Sequence, residues 1–240
     1  VRRRPYRHPH HGVSQAGMVG GGSNPLPGEV SLSHLGVLFL DEMAEFPRSV
    51  LESLRQPMED GTVSIVRAAA HVSYPASFTL LAAVNPCPCG YLGHPRRECK
   101  CTDKMIRKYR SRISGPILDR IDLHVHVPAV EIEKLDSSAV GQSSLNIRNQ
   151  VISTRKIQEL RFRDEKIYTN SQMGNKQVKK YCELMPDAQR ILKLAVEKFD
   201  LSARSYFRLI KVARTIADLD NCDKILVNHM AEALQYRQQI

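Results

Sequence analysis

Two carboxylates, one amide and four thiols in this sequence have types and spacings suited to chemistry. Asp41-Glu42 closes an uninterrupted apolar run, Val37-Leu38-Phe39-Leu40. Such a run is expected of a strand buried on both faces of a parallel sheet. Open parallel sheets carry their ligands at the carboxyl ends of their strands. An Asp there can hold Mg²⁺, directly or through water, and the adjacent Glu can orient and deprotonate a water for attack on a γ-phosphate. This is the Walker B pattern. Four apolar residues before Asp-Glu also arise by chance, and the plain alternative is a strand that meets two solvated acids. Asn85 ends the next apolar segment, residues 78–84. Its amide would lie beside Asp41 and Glu42 and hold the attacking water. The alternative is an ordinary turn Asn before Pro86.

Cys87-Pro88-Cys89 and Cys99-Lys100-Cys101 form two C-x-C pairs separated by nine residues. Four thiolates suit tetrahedral Zn²⁺, and local cysteine pairs in a cytosolic chain suggest metal before disulfide. The spacing is tighter than the usual C-x₂-C. Reduced free thiols or a redox pair are the alternatives, and His94 could replace one ligand. A structural zinc would staple a basic loop next to Asn85 that presents Arg96, Arg97, Lys100 and Lys104 to a partner. Cys182 and Cys222 are isolated and read as buried or inert. His8, His10 and His11 read as a polar loop, because no acid or Cys lies near them in sequence.

These groups need a scaffold, and 240 residues with 42% hydrophobic content can build one or two domains with a real core. The net charge of +10 favours an anionic partner such as nucleotide, nucleic acid or acidic protein, or else marks an inert basic surface. No apolar run approaches the roughly 20 residues of a membrane span, and no apolar stretch follows the basic start. A soluble cytoplasmic protein with no membrane partner is the default expectation. The chain starts abruptly without Met and reads as part of a longer protein.

Residues 1–29, rich in Gly, Pro and His, read as loop. Pro47 stands where a helix can begin, with Leu51, Leu54 and Met58 on one face. Residues 62–74 suggest a hairpin turning near Ala68 to Ala70. Strand, helix and strand give an α/β rhythm over residues 1–130. Residues 131–145 form a polar linker, and residues 146–240 read as all-helical. There Ile147, Val151, Thr154, Ile157 and Leu160 recur at helical spacing. Ile191, Leu192, Ala195, Val196 and Phe199 form a second stripe. Ser202 can cap a helix that buries Tyr206, Leu209, Ile210, Ala213 and Ile216. Met230, Ala233 and Leu234 lie on a last helix.

The order Walker B, hairpin, Asn85 and Leu118-Asp119-Arg120-Ile121-Asp122 resembles AAA+ ATPases related to magnesium chelatase and MCM helicases. Leu201-Ser202-Ala203-Arg204 looks like the start of their second sensor helix. Arg4-Pro-Tyr-Arg-His-Pro-His-His-Gly12, Gly36-Val-Leu-Phe-Leu-Asp-Glu42 and Asn85-Pro-Cys-Pro-Cys-Gly90 together resemble the YifB/ComM branch of magnesium-chelatase-like proteins. The resemblance covers nearly the whole chain. It implies the back part of a P-loop NTPase core followed by a helical lid domain, an ATP- and magnesium-dependent motor, and a homo-hexameric ring. It implies that Arg120 is an arginine finger reaching a neighbouring subunit, with Arg112 the weaker candidate, and that Arg204 touches the nucleotide. The hairpin with Arg67 would face the pore. Arg214 reads as structural, paired with Asp218 at i,i+4 spacing.

One departure from the family is plain: no Gly-x-x-x-x-Gly-Lys-Ser/Thr loop occurs. These residues alone are therefore expected to be inactive as an ATPase. Three functions follow from the resemblance and the charge. One is a DNA motor of the helicase or branch-migration kind, tracking phosphates with Arg67 and the basic loop. Another is a chelatase-type motor remodelling a protein partner. The last is a non-catalytic assembly module.

Overall fold

The computed structural model describes residues 3–22, 25–67, 70–128 and 141–237. The chain divides into two compact units, Val1–Ile121 and Asp122–Ile240. Most of the expected linker lies outside the described residues. So do the hairpin tip and the Arg67 side chain. No described helix is long and apolar enough to cross a membrane.

In the first unit, strand β1 (Tyr6–Arg7) is followed by α1 (Gln15–Val19), the short antiparallel pair β2 (Gly20–Gly21) and β3 (Leu26–Pro27), and α2 (Glu29–Leu32). Then come β4 (Val37–Leu40), α3 (Arg48–Ser53), α4 (Arg55–Asp60), the antiparallel hairpin β5 (Thr62–Arg67) and β6 (Ala70–Pro75), β7 (Thr79–Ala82), α5 (Asp103–Arg110) and α6 (Gly115–Leu118). Strands β1, β4 and β7 form a parallel sheet with β4 in the middle. The mixed α/β class expected from the sequence is therefore present. Gly36 lets β1 approach: a Cβ there would sit 2.0 Å from the Pro5 carbonyl oxygen.

The β4 strand departs from the expectation of burial on both faces. Leu38 and Leu40 are fully buried in the core with Met43, Leu51, Leu54 and Ile117, but Val37 and Phe39 are only half-buried. The Phe39 face is covered by the rings of Tyr6 and His8, at 6.3 and 4.9 Å, instead of a helix. Strand β7 is likewise less enclosed than expected, with Leu81 exposed. Among the described residues, no strand pairs with its far edge. The first 29 residues are not all loop. Arg7 holds the start of α2 through a two-pronged bond to Glu29, at 2.6 and 2.7 Å, so a tertiary ion pair organises a segment of weak local propensity.

The second unit contains α7 (Ser144–Arg161), a 3-10 turn at Asn170–Gln172, α8 (Asn175–Tyr181), α9 (Pro186–Phe199), α10 (Ala203–Leu219) and α11 (Val227–Gln235). Ser202 caps α10 by accepting the Ser205 amide at 3.2 Å. Leu192, Leu209, Ile210, Ala213, Ala217, Met230 and Ala233 are core residues.

Helix α7 keeps its expected stripe only at Thr154 and, half-buried, at Ile157. It buries Thr154 and Gln158, while Ile147, Val151 and Leu160 stay exposed. The reason is a buried polar network. Gln158 accepts the Asn170 amide at 3.2 Å, and Asn170 donates to Asp218 at 2.7 Å. Arg161 and the fully buried Arg214 also converge on Asp218, with Arg161 Nη1 at 2.7 Å and Arg214 Nε at 3.0 Å. Arg214 further donates to the Asp223 and Cys222 carbonyls. The expected i,i+4 pair is thus one arm of a four-residue hub.

Candidate functional site

The carboxyl end of β4 delivers Asp41 and Glu42 to an exposed edge of the first unit. The chain then turns through a 3-10 segment, Met43–Glu45. Glu42 enters that turn in the left-handed region, with φ 49° and ψ 46°, a conformation few non-glycine residues adopt. Two bonds fix it. The Asp41 carboxylate accepts the Glu42 amide at 3.0 Å, and the Met43 amide donates to the Ala83 carbonyl at 2.9 Å. The second bond ties the acidic turn to the end of β7. Leu40 is in register with Ala82, the last residue of β7, and Asn85 follows three residues beyond that strand's end. The structure therefore brings Asp41 and Glu42 beside the end of β7, the segment that continues to Asn85.

Spacing did not single out His11 for this edge. Its Nδ1 lies 3.9 Å from Glu42 Oε2, and its ring sits against His10 and the edge of Phe46. The parallel pairing of β1 with β4 brings it there, and a two-residue strand leaves no periodic signal in a sequence.

The arginines are held within the unit. Arg120 forms an ion pair with Glu59 at 2.6 Å and donates to the Pro116 carbonyl at 2.5 Å. Its partner is thus neither of the flanking acids. Arg112 donates to Glu45 at 2.6 Å and to the Ala44 carbonyl at 3.2 Å, so it grips the turn that follows Glu42. Tyr109, buried beside Arg112, has its hydroxyl pKa pushed up by burial and then by the Glu45 charge. Arg204 opens α10 in the second unit, where desolvation and then Arg208 lower its pKa.

Beyond Asn85 the four cysteines converge. Cys87 Sγ lies 3.4 Å from Cys89 Sγ and 3.6 Å from Cys99 Sγ, and Cys89 and Cys99 are 3.6 Å apart. With Cys101 the sulfurs all fall within 4.8 Å of one another. The Cys89 thiol is pulled down to about 6, first by the Tyr91 backbone. The Cys101 backbone favours the Cys99 thiolate, but burial and the other sulfurs outweigh it and push that thiol up to about 12. His94 is not among the clustered ligands. Its Nδ1 instead accepts the amides of Arg96 and Arg97, both at 3.1 Å. Arg96, Lys100 and Lys104 are exposed, joined by Arg107, Lys108 and Arg110 of α5. Arg97 is engaged by the Tyr91 hydroxyl at 2.6 Å.

The chain is similar to known proteins along most of its length. Residues 1–135 match the family described as magnesium chelatase, subunit ChlI, and residues 141–237 match that subunit's C-terminal family. The competence protein ComM of Haemophilus influenzae is 43% identical over 241 residues, covering 100% of this chain and 46% of that protein. The uncharacterized protein YifB of Salmonella typhimurium is 43% identical over 237 residues, covering 98% of this chain and 46% of that protein. The DNA replication licensing factor mcm6 of Dictyostelium discoideum is 24% identical over 222 residues, covering 86% of this chain and 23% of that protein. This chain spans about half the length, or less, of these relatives. The chain belongs to the magnesium chelatase subunit ChlI family of AAA+-type motor proteins, in its YifB/ComM branch.

Proposed function

We propose that the full-length protein is a cytoplasmic ATP-hydrolysing motor that moves on DNA, with Asp41, Glu42 and Asn85 as its hydrolytic centre. The observation that supports this reading is the delivery of two acids to the end of a central parallel strand, tied through Met43 and Ala83 to the neighbouring segment that leads to Asn85. Asp41 would hold the magnesium that ATP brings. Glu42 would take the proton of the attacking water while the Asn85 amide orients it. Arg120 would serve a neighbouring subunit of a homo-hexamer after leaving Glu59, and Arg204 would contact the nucleotide. The triphosphate needs a backbone cradle and lysine that no run in this sequence supplies, so these 240 residues alone would not turn over ATP.

The DNA track rests on the exposed cations Arg96, Lys100 and Lys104 and on the likeness to a replication licensing factor. Arg67 and Arg97 extend the same proposal. A motor that remodels a protein partner is the second reading, favoured by the chelatase family match.

The test is ATP turnover by the full-length protein and its Glu42→Gln variant. Loss of about 10²-fold or more in kcat, with ATP binding retained, is expected for a missing general base. Wild-type turnover in that variant would refute the assignment.

A further inference from the structure

We infer that Cys87, Cys89, Cys99 and Cys101 form a tetrathiolate Zn²⁺ site that braces the acidic turn. Sulfurs bound to one tetrahedral zinc at about 2.3 Å stand about 3.8 Å apart. Three of the pairs here stand at 3.4, 3.6 and 3.6 Å, and the fourth sulfur completes a group within 4.8 Å. A disulfide would need about 2.05 Å and would single out one pair. Three of these sulfurs instead form a near-equilateral triangle, with the fourth within 4.8 Å of each. The loop is also shaped for it. Gly90 and Gly93 take positive φ values of 78° and 80°, and the Gly90 amide closes a tight turn on the Cys87 carbonyl at 3.0 Å. Four thiolates around Zn²⁺ carry a net charge of about −2, and Arg96, Arg97, Lys100 and Lys104 in and beside the loop offset it.

The ligands sit between the two elements that must stay together. Cys87 lies two residues beyond Asn85, and Cys101 lies two residues before α5 begins at Asp103. Helix α5 then leads to Tyr109, which shares a core with Met43, Ala44 and Phe46. Arg112 grips Ala44 and Glu45 directly. A zinc ion would therefore join the end of β7 to α5, and α5 returns to the turn that carries Glu42. Zinc content and backbone protection do not depend on ATP turnover, so this inference can fail while the proposed function stands, and the reverse.

The experiment is elemental analysis of the full-length protein purified without chelator, with hydrogen exchange before and after metal removal. One zinc per chain is expected. Cys99→Ser and Cys101→Ser should each lose it, while Cys182→Ser and Cys222→Ser keep it. Replacing zinc by Co²⁺ in the wild type should give the intense visible bands of tetrahedral thiolate coordination, which covers the case of serine variants that do not fold. Stripping the metal should speed exchange of the α5 amides at least tenfold. Less than half an equivalent of zinc, iron in its place, or zinc that survives loss of these cysteines would overturn the site. Unchanged α5 exchange would overturn the brace.

Discussion

Arg120 reaches Glu59 of its own chain at 2.6 Å, across 61 positions of sequence. The guanidinium is only 10% exposed, and its Nε has no acceptor among the described residues. Removing the carboxylate strands a largely enclosed cation. Glu59→Ala should therefore destabilise the protein by about 2–3 kcal/mol, and the double variant Glu59→Ala with Arg120→Ala should recover part of that loss. Denaturant unfolding of the single and double variants measures the coupling. Simple additivity would show that the pair is energetically idle.

Asp218 gathers two arginines and one amide, and Arg214 is fully buried with it. Asp218→Ala leaves those cations uncompensated in the core of the helical unit. A loss of about 3–5 kcal/mol is expected. Arg214→Lys should also cost stability, because one ammonium cannot reproduce the fork that serves Asp218 and two carbonyls. Thermal unfolding followed by far-UV circular dichroism reads both.

Glu165 gives a pH dependence with a definite sign. The Tyr181 hydroxyl, and then Lys180 and Gln177, hold its carboxyl below the ordinary 4.5. A depressed folded-state pKa stabilises the fold above the unfolded value, and that contribution fades as pH falls through the folded value. Glu165→Gln should therefore lower Tm at pH 7, and the gap to the wild type should close well below pH 4.5. A gap that persists into acid would point to packing instead of charge.

If the Cys-rich loop and α5 track phosphates, nucleic-acid affinity should fall linearly in a plot of log K against log salt. Each of Arg96→Ala, Lys100→Ala and Lys104→Ala should shallow that slope by about 0.9 and weaken all sequences alike. Fluorescence anisotropy with two unrelated oligonucleotides is sufficient. Unchanged slopes would remove these residues from the interface.

The sequence disclosed some parts of this molecule and hid others for physical reasons. Four apolar residues before two acids mark β4, because burial writes itself into composition. Ser202 and the Arg214–Asp218 spacing were legible because caps and i,i+4 pairs are local. His11 was not, since only the pairing of β1 with β4 carries it to Glu42. The pairing of Arg120 with Glu59 was hidden in the same way, because Glu59 lies on a helix 61 positions earlier. Helix α7 misled the periodicity argument outside Thr154, because Gln158, which was not in the stripe, is buried for its hydrogen bond, which no apolar count registers.

The backbone at Glu42 lies in the left-handed region. A side chain held at φ 49° sits where glycine is at ease, at a penalty on the order of 1 kcal/mol. Glu42→Gly relieves that strain but adds the roughly 0.5–1 kcal/mol entropic cost of glycine, so its Tm should stay close to that of its parent. Under the proposed function, the carboxylate at this bend is held at a conformational cost in the place where hydrolysis needs it.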